Sequence, residues 1–231
     1  MSDFPTLTRL AAGEGRVAVT IDDGPNPDTT LAMLDVLAAY GAKASFFACG
    51  INLERFPALA ARIVAEGHGL FSHAWDHPAF DTLDAAGIRD QLERTEAALI
   101  RFRPAEAAPL VRFPFGAGVD DPAVRQAVAT WNPATVAVQW SICAEEWTFI
   151  DSCRTPARIQ EGVAGAVDRL SATADWDGAV VLLHDWPTIP ADGGPPKPLA
   201  AAFCAGLLEA YLIEIRRRRL TPVPLTAHTC G

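Results

Sequence analysis

No apolar run in these 231 residues reaches transmembrane length, and the opening stretch MSDFPTLTRLAAGEG has none long enough for a signal peptide. The expectation is a cytoplasmic protein without stable membrane insertion, provided no leader preceded Met1. Positive charge is scarce as well: 19 Lys and Arg stand against 28 Asp and Glu, a formal net charge of −9. Nucleic acid and anionic membranes demand a positive field, so a neutral or cationic substrate is the better match. The one basic run, Arg216 to Arg219, closes a helical pattern, where cations complement the helix dipole or form an interaction patch. Five cysteines (Cys49, Cys143, Cys153, Cys204, Cys230) are odd in number and never in CxxC spacing, which argues against a disulfide scaffold or a zinc ribbon. Internal repeats and low-complexity tracts are missing. Half of the residues are hydrophobic, so a single domain over 1–231 is expected, with its oligomeric state open.

What is present is an alternation. Short runs rich in β-branched and aromatic residues predict strands: RVAVTI (16–21), KASFFAC (43–49), GLFS (69–72), LVRFPF (110–115), TVAVQWSI (135–142), AVVLLH (179–184) and LTPVPL (220–225). Between them lie helical patterns, one ending at Gly41, one at Gly67, and one starting after a cap at Thr82 or Asp84. Two more are DPAVRQAVATW and TPARIQEGVAGAVDRL, and AFCAGLLEAYLIEIRRRRL comes last. Strand, helix, strand implies an α/β fold with parallel pairing, either an open doubly wound sheet or a closed barrel. No Gly-rich phosphate loop follows the first strand, which counts against dinucleotide binding. The strands end in polar residues: Asp22-Asp23, His73, Arg112, Glu145-Glu146-Trp147 and His184-Asp185. In a parallel barrel all of these open on one rim.

His73 and His77, at i and i+4, are able to present their nitrogens on one side of a helical turn. They are either metal ligands or a chance surface pair, and a metal reading needs a third ligand. Asp22 and Asp23 end a buried strand, where ionising both is costly without a cation. Because successive strand residues point in opposite directions, one acid is free to ligate while its neighbour faces the reacting centre. The alternative is a capping carboxylate in the DDGPNPDTT turn, where Asp28 or Thr29 is an equal candidate for the cap. His184 joins His73 and His77 on the rim, whereas His68 is expected to close a helix and His228 to lie in a tail.

In order and spacing, TIDDGPNPDTT, SHAWDHP, RFPFG, WSICAEEW and VVLLHD resemble the five motifs of the polysaccharide deacetylase family, in particular its NodB-type chitooligosaccharide deacetylases. The resemblance spans about Arg16 to Pro224. It implies a distorted (β/α)7 barrel of NodB homology type and a hydrolase that removes N-acetyl groups from N-acetylglucosamine residues with one divalent metal ion, zinc (Zn2+) by preference. Asp23, His73 and His77 match the metal ligands, Asp22 the general base and His184 the general acid. Arg112 would orient the catalytic carboxylate, and the backbone N–H of Phe115 would contribute to an oxyanion hole. Trp147 and Leu182 match the walls of the acetyl pocket.

The chain departs from the family pattern at Glu146, where Asp is usual, at Cys143, where a polar residue is common, and at Phe115, where Tyr is common. Glu146 is the candidate partner that keeps His184 protonated. The Pro- and Gly-rich loop 185–198 is either a rim over the site or an inert connection. A deformylase or other small N-acyl deacylase, or a silent sugar-binding homologue, is the alternative. The two-His, one-carboxylate set also occurs in non-haem iron oxygenases, but the accompanying acid and base favour hydrolysis.

Overall fold

The structure, a computed structural model, describes residues 4–106, 108–150, 155–187 and 197–226. Cys153, Cys230, His228 and residues 188–196 of the Pro- and Gly-rich loop lie outside the described residues. The first half of the chain runs β1 (Thr6–Leu7), β2 (Arg16–Asp23), α1 (Pro27–Tyr40), β3 (Ser45–Ala48), α2 (Gly50–Arg55), α3 (Pro57–Ala65), β4 (Gly69–Ser72) and α4 (Ala85–Leu99). There follow β5 (Leu110–Val111), α5 (Pro122–Trp131), β6 (Val136–Val138), β7 (Ile142–Cys143) and α6 (Trp147–Ile150). The last elements are α7 (Pro156–Ala172), β8 (Val180–His184), α8 (Ala200–Arg217) and β9 (Thr221–Val223). None of the described helices is long and apolar enough to cross a membrane.

Every strand pairing is parallel, in the order β1-β6-β5-β4-β3-β2-β8-β7, with β9 beside the first residues of β2. The residues of β2 show how the layers form. Val17, Val19 and Ile21 belong to the core beneath the helices, while Ala18 packs with Phe47, Phe71, Leu110 and Val180 in a separate inner cluster. That period of two turns Thr20 and Asp22 inward with Ala18.

TVAVQWSI, expected as one strand, is divided between two partners. β6 pairs with β5 and β1, whereas β7 pairs with β8. Gln139 N still donates to Leu7 O at 2.8 Å and Ser141 N already donates to Val180 O at 2.9 Å, so the change of partner falls on Trp140. One run of chain therefore joins the two ends of the curled sheet, giving the distorted (β/α)7 barrel that the motifs implied. Residue Arg9, after β1, adds an antiparallel bridge to Ala179. LVRFPF is shorter than expected: only Leu110 and Val111 pair, and Pro114, which has no N–H to donate, opens a 3-10 turn instead.

The helix boundaries follow local chemistry. Asp84 caps α4 by accepting from Gly87 N at 2.8 Å, and Thr82 lies in a separate 3-10 turn. Asp121 and Thr155 cap α5 and α7 in the same way. Gly41, at φ 61°, ends α1 in the left-handed conformation that glycine adopts without cost. The start of α1 departs from expectation. Its cap position is Asn26, not Asp28 or Thr29, and the Asn26 side chain makes no capping bond. Thr30 Oγ1 instead accepts from Asn26 N at 2.6 Å, which frees the Asn26 amide to reach the carbonyl of Asp185. Short α2 and α6 were not foreseen, since neither carries a full amphipathic period.

Candidate metal centre and catalytic cleft

The strand ends open into a cleft of 1160 Å³. Among the residues that line it are Asp22, Asp23, His73, His77, Leu182 and His184. Trp147 and Phe115 lie at its surface, and Arg112 and Glu146 are fully buried behind it. Every site residue expected from the sequence thus falls at one mouth.

Two geometric expectations need correction. Strand alternation predicts that Asp22 and Asp23 point apart, yet Asp22 Oδ2 lies 3.7 Å and Asp23 Oδ1 3.4 Å from the same atom, His73 Nε2. The cause is the backbone of Asp23, whose φ of 79° breaks the strand and swings its side chain back to the mouth. Asn52 Nδ2 donates to the Asp23 carbonyl at 2.8 Å and holds that conformation. Nor do His73 and His77 share a helical turn: residues 73–79 form an irregular loop in which Ala74 (φ 65°) and His77 (φ 68°) are left-handed. A loop bends the chain back more tightly than a helix would, so the two Nε2 atoms come within 3.1 Å. Of the six described non-glycine residues with left-handed φ, five (Asp23, Ala74, His77, Phe115 and Glu145) sit at the strand end, turns and loops that carry the site. Such clustering is typical of functional positions.

Asp23 Oδ1 is 3.3 Å from His77 Nε2, which completes a triangle with sides of 3.1, 3.3 and 3.4 Å. Its atoms are short of positive charge. His73 Nδ1–H donates to Arg112 O at 2.9 Å, so in the neutral ring Nε2 offers only a lone pair. Asp23 Oδ1 is buried without a hydrogen-bond partner. Three electron-rich atoms with at most one proton among them are the donor set that a divalent cation satisfies. Tetrahedral zinc with bonds of roughly 2.0 to 2.1 Å requires ligand separations of about 3.3 Å, and the triangle fits. Burial works against ionisation of Asp23, but the surrounding imidazoles of His73, His184 and His77 hold its carboxyl well below the usual range. Burial pushes the His77 imidazole down, against the pull of Asp23. A neutral imidazole is the ligating form.

Asp22 is held from the other side. Its Oδ1 accepts from Arg112 Nη1 at 2.7 Å, and the same nitrogen donates to Thr20 Oγ1 at 2.8 Å. Arg112 also donates to Val138 O and Gln139 O, at 3.1 and 3.2 Å, and its guanidinium lies 4.3 Å from the centre of the Phe47 ring. A buried arginine with all these partners is rigid, so it fixes the direction of the carboxylate.

His184 Nδ1 bonds Glu146 Oε1 at 2.6 Å, and its ring is flanked by Trp147 at 5.6 Å and Trp186 at 5.2 Å. Burial alone would lower its pKa, but the Glu146 hydrogen bond and charge, helped by Asp23 and Asp22, raise it to about 9. The second oxygen of Glu146 takes the Cys143 thiol at 3.8 Å. Burial and the Glu146 charge push that thiol up, so it remains a protonated donor. The longer Glu side chain is accommodated and reaches the imidazole. The ring of Phe115, 72% exposed, stands edge-on to His77 at 4.5 Å.

The sequence assigns no role to two supports, one of them Asp185, which it places only among the polar strand ends. Asp185 is fully buried; its N–H donates to Asp22 O at 2.9 Å, and its carboxylate bonds Thr30 Oγ1. Burial, with the charge of Asp23, raises it to about 7 despite the Thr30 and Asn26 hydrogen bonds. Gln91 of α4 is the other. It shares a face with Ile88, Thr95 and Ala98, and a polar amide in that apolar helical period was the available signal. His68, expected to close α3, follows it buried: its N–H donates to Ile63 O, and its Nδ1 accepts from Ala44 N at 3.2 Å.

With this geometry in hand, comparison with known proteins is specific. The model of the polysaccharide deacetylase family matches residues 10–132. A chitooligosaccharide deacetylase of Rhizobium leguminosarum bv. trifolii is 33% identical over 212 residues, 92% of this chain and 87% of that protein. The solved structure of the Bc1960 peptidoglycan N-acetylglucosamine deacetylase superposes with a TM-score of 0.74 at 25% identity, over 96% of this chain and 91% of that one. BA3943 of Bacillus anthracis, described as a pseudoenzyme, has the same fold at 17% identity, with a TM-score of 0.75 over 98% of this chain and 69% of that one. Fold alone therefore does not decide turnover.

Proposed function

The chain belongs to the polysaccharide deacetylase family, and on that premise we propose that it is a metal-dependent hydrolase removing N-acetyl groups from oligo- or polysaccharides that contain N-acetylglucosamine. The observation that carries this reading is the Asp23, His73 and His77 triangle, set beside a separately held carboxylate and a separately held imidazolium. A divalent cation on that triangle, zinc by preference, supplies a Lewis acid for the amide carbonyl and makes a water more acidic near neutral pH.

The remaining chemistry belongs to side chains. Asp22, kept in place by Arg112, takes a proton from the attacking water. His184, kept charged by Glu146, gives its proton to the departing nitrogen as the C–N bond breaks, so acetate and a free amine are the products. His184 keeps its proton because it faces a carboxylate, while the guanidinium of Arg112 fixes the direction from which Asp22 accepts one. The backbone N–H of Phe115 is assigned to the developing oxyanion, and its exposed ring to the rim. Trp147 and Leu182 form the wall against the acetyl methyl.

Acetate release from chitooligosaccharides, measured before and after chelation and again after zinc is restored, tests the proposal. Release should stop with the chelator and return with the metal. Sugar binding without release would mark a silent homologue, and release of formate or another acyl group alone would mark a different N-acyl substrate. Either result overturns the assignment.

A further inference from the structure

Between the two histidines, Ala74, Trp75 and Asp76 form a bend with no regular structure of its own. Its backbone is satisfied from outside. On one side, Gly50 N of α2 donates to Ala74 O at 3.0 Å and Ile51 N to Trp75 O at 2.9 Å. On the other, the N–H groups of Trp75 and Asp76 converge on a single side-chain atom, Gln91 Oε1, at 2.7 and 3.2 Å. Gln91 Nε2 then donates to Asp76 Oδ1 at 2.8 Å. The glutamine is 9% exposed, and its own carbonyl accepts from Thr95 Oγ1 at 2.7 Å. Both ends of its amide are thus spent on the bend. The bend is also under backbone constraint: Ala74 and His77 hold left-handed φ values that side-chain-bearing residues leave when released.

We propose that Gln91 is the positioning residue of the two-histidine bend, holding His73 and His77 at ligand separation before a divalent cation arrives and so setting the affinity of the centre. The inference rests on the metal-centre reading above and extends it to a helix outside all five motifs. Without the Gln91 acceptor, the buried Trp75 N–H and the part-buried Asp76 N–H lose their partner, and the bend gains freedom that metal binding must then remove.

The experiment uses the full chain, stripped of metal and titrated with Zn2+ against a chromophoric chelator, with the absorption of Co2+ as a second readout. Gln91→Leu should weaken Zn2+ binding about 10- to 100-fold, the range for residues that support metal ligands. Gln91→Glu keeps the oxygen for both N–H groups but sets a like charge against Asp76, and should weaken binding about tenfold. Adding Asp76→Asn to Gln91→Glu restores a donor and acceptor with roles exchanged, and should return the affinity to within about threefold of the Asp76→Asn control. Equal Zn2+ affinity in the wild type and both Gln91 variants would overturn the inference, as would a double variant that recovers nothing while its metal-free melting temperature matches the wild type. A wild-type chain that binds neither Zn2+ nor Co2+ would overturn the metal centre itself, and this inference with it.

Discussion

The β2 and β4 side of the mouth and the β7 and β8 side solve different problems. On the first, Asp23, His73 and His77 converge through left-handed backbone at three rim residues and through hydrogen bonds to main chain, so the arrangement is set by geometry. On the second, one imidazole meets one carboxylate between two tryptophans, and what is set is a protonation state. The first side should therefore respond to substitution as a loss of metal, and the second as a displaced pH profile. Where both signals move together, the separation is wrong.

The strongest way to break the comparison is at the triangle. Asp23→Ala or His73→Ala should abolish tight Zn2+ binding and lower kcat/KM by about a thousandfold or more, several kcal/mol of transition-state stabilisation, as read by metal analysis with acetate release. Arg112→Met comes next. Removing one partner of a buried pair costs about 3 to 5 kcal/mol of stability, so its midpoint in urea should fall, and kcat should fall with it because Asp22 loses its orientation.

Glu146→Gln tests the other side. It should lower kcat about 10- to 100-fold and leave Zn2+ affinity within about threefold. The alkaline limb of the pH profile, set in the wild type by an imidazole near 9, should move to lower pH, since burial alone favours the neutral ring. An unmoved limb would remove Glu146 from that role. The same dyad bears on stability: a folded pKa above the ordinary 6.5 stabilises fully below about 6.5, and that contribution is lost as pH rises through about 9. Chelated wild type should lose stability across that window and His184→Gln should lose less, which urea titrations at both pH values would read. The smallest effect is expected for Phe115→Ala. Its ring is exposed and its assigned role is the backbone's, so stability should change by less than about 0.5 kcal/mol and kcat by only a few-fold.

Much of this was legible because strand periodicity and polar strand ends are local signals. RVAVTI, AVVLLH and their neighbours announced the parallel sheet, and the charged residues that follow them announced the rim. What failed was the extension of ideal periodicity into the site. Alternation sent Asp23 the wrong way, and helical spacing described the His73 and His77 loop incorrectly, because at both places left-handed residues interrupt the repeat on which such reasoning depends. TVAVQWSI has the pattern of one strand because its hydrophobic repeat does not change where its hydrogen-bond partners do. Gln91 is not legible in the sequence, because a single polar residue in an amphipathic helix has no distinct meaning until the loop it faces is known.

The barrel has a seam, and it runs between its two chemistries. Trp140 is the stave at which the chain leaves the neighbours of β5 and takes up those of β8, and its ring faces the cleft. The guanidinium that aims Asp22 is moored to the carbonyls just before that crossing, while the strand just after it leads to Glu146. Asp22 and His184 themselves sit side by side in the β2 and β8 pairing, and each is braced from one side of that crossing, Asp22 through Arg112 and His184 through Glu146. A change at this crossing would therefore shift the two braces relative to one another while the paired strands that carry Asp22 and His184 stay in register.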